Sequence, residues 1–268
     1  MTVSLPWSPG GRPLIGVIHL PPLPGAPRYG GGGLDPIFAR ARADLAALEA
    51  GGADGAIVEN FGDAPFRKKA DPATVAALAI VVRDLVGRAR VPLGVNVLRS
   101  DGVAAMAIAA LAGAAFIRVN VFSGVAFTDQ GLIEGEAREV LDLRRTLGAE
   151  VAVLADVHVK HAAHLDTLAA ASRDVARNGP DAVIITGGGT GEAPPPSDVG
   201  EAQRASGLPV FVGSGIRPDT LAQYAEADGF IVGTALKRGG EVGNPVDPDR
   251  VRALVAARDC LAGGGGKV

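Results

Sequence analysis

Cysteine is nearly absent: Cys260 is the only one in 268 residues. A disulfide framework within the chain is thereby excluded, and a reduced, cytoplasmic setting is the expectation. Aromatic residues are scarce at 4%, although 47% of the chain is hydrophobic, so the apolar content is aliphatic and rich in alanine. That composition suits helices packed closely on a buried parallel sheet. Neither sign of charge dominates, with 26 basic against 29 acidic residues and a net charge of −3. With no basic run interleaved with aromatics, a nucleic-acid partner is not expected. Long hydrophobic runs are missing too. The longest, Val103–Ile117, is about fifteen residues, short of the roughly 20 that span a bilayer. The segment Met1–Gly10 shows no basic stretch followed by an apolar one, so no secretory leader and no transmembrane segment are expected.

What is present is an alternation. Short apolar runs occur at Leu14–His19, Ala56–Glu59, Leu93–Val97, Phe116–Asn120, Val151–Val157, Ala182–Thr186, Val210–Gly213 and Phe230–Gly233. Such runs mark strands buried on both faces. Helical patterns separate them, near 35–50, 72–88, 101–112, 135–147, 164–178, 196–206, 218–227 and 247–262. Several of these open on Asp-Pro pairs, as at Asp35-Pro36 and Asp71-Pro72, and several stop at glycine, as at Gly113 and Gly148. Eight βα units of about 30 residues predict parallel strands with right-handed crossovers. No dinucleotide fingerprint follows the first strand, which favours closure over a doubly wound sheet. The fold class is therefore α/β, a single (β/α)8 barrel over residues 1–268, with 1–12 and 263–268 as short tails; such barrels need about 250 residues.

The strands begin apolar and finish polar. His19 ends the first, Glu59-Asn60 the second, and Asn96 lies in the third. Arg118 and Asn120 share one face of the fourth, Asp156 and His158 one face of the fifth, and Thr186 closes the sixth. In a barrel these ends form the catalytic mouth, although each residue alone reads equally well as part of a hydrogen-bonded cap on the core. The run Ala155-Asp156-Val157-His158-Val159-Lys160-His161 carries the most chemistry. Asp156 beside His158 predicts an acid/base pair. Lys160 is placed to neutralise developing negative charge, or, less favourably, to form a Schiff base. A divalent metal on Asp156 and His158, joined by His161, is a further option, but no established ligand signature supports it. His164 is assigned to the following helix. Glu59 is the second acid/base candidate, with His19, Asn60, Asn96, Arg118, Asn120 and Thr186 as substrate contacts.

Glycine-rich turns follow the last two strands: Gly213-Ser214-Gly215 and Gly233-Thr234. Loops at these two places commonly cradle phosphate, because glycine lets backbone N–H groups approach an anion; the plainer reading is that they only make tight turns. Two Gly/Pro-rich loops, Pro21–Gly33 and Gly187–Pro196, read as lids or as mobile connections with no role; as a lid, the first would bring Arg28 and Tyr29 onto a ligand on closure. The segment Gln130–Glu136 is expected as a third wall.

These motifs carry a resemblance. Gly16-Val17-Ile18-His19-Leu20-Pro21-Pro22-Leu23-Pro24-Gly25 is similar to the opening motif of the BtpA/SgcQ family. Val58-Glu59-Asn60-Phe61-Gly62-Asp63, the segment Ala155–His161, Gly213-Ser214-Gly215, Gly229–Thr234 and Asn244–Pro248 resemble that family as well. So does Thr186-Gly187-Gly188-Gly189-Thr190-Gly191. The resemblance spans residues 13–260 and implies the same barrel. It also implies either a role like that of the branch linked to photosystem I biogenesis, peripheral at thylakoid membranes, or one like that of the branch found with sugar-uptake and sugar-metabolism genes. No amphipathic basic helix that would explain membrane attachment is apparent.

Three expectations follow. The first is an enzyme on a small phosphorylated metabolite, a sugar phosphate or nucleotide-like compound, working by acid/base chemistry without an obligatory cofactor. The second is a non-catalytic assembly factor, and the third a metal-dependent hydrolase that needs His19, Glu59, Asp156 and His158 to converge. Self-association is common among barrels, so a homo-oligomer is also expected.

Overall fold

A computed structural model describes residues 3–263, with side chains through residue 261. Eight parallel strands close into a barrel. In chain order they are β1 (Leu14–His19), β2 (Gly55–Glu59), β3 (Leu93–Asn96) and β4 (Phe116–Val119). They continue as β5 (Ala152–Val157), β6 (Ala182–Ile185), β7 (Val210–Val212) and β8 (Gly229–Val232). Each strand pairs with its sequence neighbours, and β8 closes on β1 through Leu14↔Phe230, Ile15↔Ile231 and Gly16↔Val232.

The helices between strands are α1 (Asp35–Ala50), α2 (Pro72–Val86), α3 (Gly102–Ala112) and α4 (Ala137–Thr146). They are followed by α5 (Leu168–Arg177), α6 (Ser197–Ser206) and α7 (Pro248–Gly263). Local chemistry sets their ends. Asp101 accepts from Ala104 N (3.1 Å) to start α3, and Gly113 ends it at φ +87°, where a side chain would be strained.

The core has two shells. Outward-facing strand residues such as Ile18, Val58 and Val95 pack against the helices. The second shell fills the barrel interior with Ile15, Val17, Ile57, Phe116, Leu154, Ile184, Phe211 and Ile231. Phe116 and Phe211 find room because their neighbours are glycines: a Cβ on Gly94 would lie 2.3 Å from Phe116 Cε2, and one on Gly229 2.3 Å from Phe211 Cε1. Beneath these rings, at the strand starts, Trp7 stands edge-on to Phe116 (5.0 Å) and donates to Asp54 O (2.8 Å). The stretch expected as an N-terminal tail thus includes the plug at the bottom of the barrel. The expected C-terminal tail, 263–268, lies almost wholly outside the described residues.

Three elements differ from expectation. Residues 218–227 form only one 3-10 turn, Leu221–Tyr224, because Thr220 folds back onto Arg217 and Tyr224 OH is tied across to Pro194 O (2.6 Å). Helix α5 starts at Leu168 rather than 164, with Thr167 Oγ1 accepting from Ala170 N (3.3 Å), so His164 precedes it. Between β4 and α4 the chain makes an antiparallel hairpin, Val125–Thr128 with Gly131–Glu134, which also pairs with Ala162–Ala163. The wall expected at Gln130–Glu136 is one arm of it.

Candidate functional site at the barrel mouth

Strand alternation places every second side chain inside the barrel, and the inward series changes character at the C-terminal ends. Ile15 and Val17 lead to His19, Ile57 to Glu59, Gly94 to Asn96, and Phe116 to Arg118 and Asn120. Leu154 leads to Asp156 and Ile184 to Thr186. On β7 and β8 the same inward series ends instead in Gly213 and Gly233. Six strands therefore present polar groups and two adjacent strands present bare backbone.

Buried pairs hold the polar ring. Arg118 grips Asp156 with two parallel hydrogen bonds of 2.9 Å, and Asn120 Nδ2 donates to the same carboxylate (2.9 Å). Asn96 Nδ2 donates to Glu59 Oε2 (2.6 Å), and His19 Nε2 stands 3.5 Å from Glu59 Oε1. The His19 ring packs on Phe61 at 4.6 Å. Burial, reinforced by the charges of Lys237 and Lys160, holds His19 well below the ordinary histidine range, so it is neutral. Behind it, fully buried Lys237 pairs with Asp44 (3.3 Å), which also accepts from Arg40 and from Val246 N, pinning the segment after β8 to α1.

The end of β5 departs from simple alternation. The strand stops at Val157, and His158 takes φ +53°. His158 thereby leaves the series begun by Asp156, bonds Asp166 (2.9 Å) and stacks on His164 (4.5 Å), under the hairpin and outside the mouth. The expected Asp156–His158 pair is not formed; each has another partner. Two residues later Lys160 returns to the mouth. Its backbone is fixed by Thr186 Oγ1 (3.1 Å) and by Arg99, which donates to Lys160 O (2.6 Å). Among the described residues its ammonium has no ion pair, and burial followed by the charge of Arg118 pushes it below the ordinary lysine range.

The mouth is a cavity of two lobes, about 460 and 430 Å³, which share Glu59, Phe61, Arg118, Lys160 and Thr190. The first lobe spreads over Gly213-Ser214-Gly215 and Gly233-Thr234, with Arg217 and Arg250 at its edge. The second is bounded by Phe66, Leu98, Arg99, Asn120, Asp129 and His161. The loop after β6 joins the two: its Thr190 faces both lobes and meets His161 Nε2 at 2.9 Å. The rest of that loop is clamped. Ser214 Oγ bonds Glu192 O and accepts from Gly187 N (3.2 Å), while a Cβ on Gly215 would lie 2.1 Å from Ala193 N.

Of the residues expected from sequence, His19, Glu59, Arg118, Asn120, Lys160, Gly213, Ser214, Gly215, Gly233 and Thr234 line the two lobes. Asp156, Asn96 and Thr186 support them from beneath. Asn60 is instead a clamp, with Oδ1 accepting from Leu98 N (2.7 Å) and Nδ2 donating to Asp63 (2.9 Å). Arg28 and Tyr29 do not reach either lobe. The set proposed for a hydrolytic metal does not converge: Asp156 is held by Arg118 and His158 lies elsewhere. Among the described residues no three His, Cys, Asp or Glu side chains cluster as metal ligands. Sequence reasoning missed Phe61, Phe66, Arg99, Asp129, Arg217 and Arg250. Arg217 had a signal, two residues after the Gly-Ser-Gly turn; Arg250 comes from α7 and had none.

A sealed interior and a mouth built from strand ends and following loops define a (β/α)8-barrel protein with a ligand cavity. The chain belongs to the BtpA family, whose model matches residues 11–259. It is 49% identical to the photosystem I biogenesis protein BtpA of Synechocystis, over 92% of this chain and 88% of that one. It is 46% identical to an uncharacterized protein of Pyrococcus furiosus, over 94% and 97% of the two chains. Among solved structures it resembles tryptophan synthase of Mycobacterium tuberculosis (TM-score 0.59, 23% identity, covering 92% and 93%). It also resembles phosphoribosylanthranilate isomerase of Pyrococcus furiosus (TM-score 0.58, 13% identity, covering 93% and 99%). At these identities the likeness is one of fold. No helix among the described residues is long and apolar enough to cross a membrane.

Proposed function

We propose that the mouth binds a small phosphorylated metabolite and catalyses proton transfer on it, with Glu59 and Lys160 as the acid/base groups. The observation that carries this reading is the asymmetry of the inward strand ends. Six offer polar side chains, whereas β7 and β8 offer glycine backbone flanked by two exposed arginines, Arg217 and Arg250. Bare backbone with guanidinium groups at its rim suits an anion's oxygen atoms. Glu59 and Lys160 stand where the two lobes meet, so a phosphate in the first lobe would bring the adjoining carbons to them. Burial favours Lys160 giving up its proton more readily than a free lysine, which is what a base working near neutral pH needs. Asp156 orients Arg118 and has no part in proton transfer. Two solved structures of like fold are named for enzymes of phosphorylated compounds, phosphoribosylanthranilate isomerase and thiamine phosphate pyrophosphorylase, which makes the chemistry familiar to this architecture.

Thermal shift against phosphosugars, nucleotides and their unphosphorylated parents tests the reading. A ligand at 100 times its Kd adds about 2.7 kcal/mol, a shift of several degrees for a chain of this size. A shift confined to phosphorylated ligands and lost in Gly213→Val supports it; equal shifts with the unphosphorylated parents overturn it.

One observation favours a second reading, an assembly factor that acts through its surface. The outer face of the hairpin exposes Val125, Phe127 and Leu132 at 45%, 46% and 40%, side by side through the Phe127↔Leu132 pairing. Exposed apolar clusters of this kind mark association surfaces. Phe127→Ser would impair an assembly role and leave ligand binding intact.

A further inference from the structure

We infer that the second lobe receives a heteroaromatic base, so that the ligand is a nucleoside 5′-monophosphate with its phosphate in the first lobe and its ribose between Glu59 and Lys160. This inference rests on the phosphate reading and names the group at the other end.

The second lobe is chemically unlike the first. Phe61 and Phe66 line it, giving two aromatic surfaces where the first lobe has one. A planar ring gains from stacking on such surfaces regardless of its sequence of heteroatoms. Its polar groups are mixed in kind. Asn120 is 3% exposed and spends Nδ2 on Asp156, leaving Oδ1 buried with no hydrogen-bond partner. That oxygen is closed off even from water, so the acceptor a ring N–H would meet in this lobe comes from elsewhere. Asp129 adds a carboxylate from the hairpin tip, and Arg99 and His161 add donors. Acceptors and donors around aromatic walls describe the edge of a nucleobase, which carries both.

A second phosphate is the main rival: Lys160 would attract it, but Asp129 would repel it. Arg118 has both arms of its fork on Asp156. Asp129, which has no ion pair among the described residues, would face such a phosphate with like charge. In the first lobe Arg217, paired with Asp219 (3.2 Å), and Arg250, which donates to Ala235 O (3.0 Å), stand beside bare glycines.

The test is isothermal titration of the full chain with inorganic phosphate, ribose 5-phosphate, fructose 1,6-bisphosphate, the common nucleosides and their 5′-monophosphates. Ribose 5-phosphate is expected to bind, and at least one monophosphate to bind about tenfold tighter, close to 1.4 kcal/mol. Phe66→Ala, at a half-buried position and checked for an unchanged melting temperature, should remove that tenfold gain and leave the affinity for ribose 5-phosphate unchanged. Monophosphates no tighter than ribose 5-phosphate, a tighter bisphosphate, or a gain that survives in Phe66→Ala would overturn the base pocket while leaving the phosphate site standing. Nucleosides that bind as tightly as their monophosphates would instead remove the phosphate site and keep the base pocket. No binding by any of these ligands would remove both.

Discussion

Arg118 and Asp156 are each only 3% exposed, and neither can be removed alone without stranding the other. Arg118→Met should cost about 3–5 kcal/mol, seen as a lower urea midpoint, and the double change Arg118→Met with Asp156→Leu should recover much of it, since breaking a buried pair costs more than replacing it. The histidines set a pH dependence. His19, His161 and His164 are all held below the ordinary histidine range, first of all by burial. On unfolding each takes up a proton near pH 6.5 that the fold refuses, so the unfolded state binds more protons and stability falls as pH drops from about 7 towards 5. Denaturation series at pH 7.5, 6.5 and 5.5 should show that fall, and His19→Gln should flatten it. At this scale sequence reasoning located the inward polar residues well, because alternation along a strand is a local rule. It failed one residue beyond Val157, where the positive φ of His158 is invisible in the residue type: histidine there obeys no pattern that a reader of sequence can count.

Loops follow different rules from strands. The eight strand runs were legible because each is a short apolar stretch between turns, whereas the segments that finish the site come from connections of irregular length. The hairpin bringing Asp129 to the second lobe and the lid-like segment 187–196 are shaped by contacts remote in sequence, such as Tyr224 to Pro194 and Ser214 to Glu192. The loops after β6 and β7 are joined tightly at Gly215, which has φ +71° and where an added Cβ would lie 2.1 Å from Ala193 N, leaving no space for a methyl group. Gly215→Ala should cost about 1–3 kcal/mol from backbone strain alone. It should also free residues 188–191 for protease cleavage and weaken phosphate binding, effects that limited proteolysis and thermal shift would measure together. Cleavage and ligand response identical to the parent chain would show the two loops to be independent.

Across the whole molecule the barrel divides stability from chemistry by its two ends. The bottom is shut by Trp7 on Phe116 and Phe211, with Gly55 left bare because a Cβ there would meet Trp7 Cζ2 at 2.9 Å. Trp7→Ala should destabilise the fold by about 2–4 kcal/mol, less than a fully buried tryptophan would. The melting shift produced by any ligand at the mouth should be unchanged. The eightfold alternation of strand and helix patterns foretold the closed sheet but not this plug, because a lone tryptophan preceding the first strand has no periodicity to assign it.

That tryptophan is also the only one in the chain. Its indole is partly buried against the strand starts and the rings of Phe116 and Phe211. Light absorbed there is re-emitted from the far end of the barrel, out of reach of anything bound between Glu59 and Lys160. The protein therefore carries a built-in optical probe that is silent to occupancy of the mouth and responsive to opening of the barrel. Titrating a ligand should leave its emission flat, and adding denaturant should move it to the red in a single step.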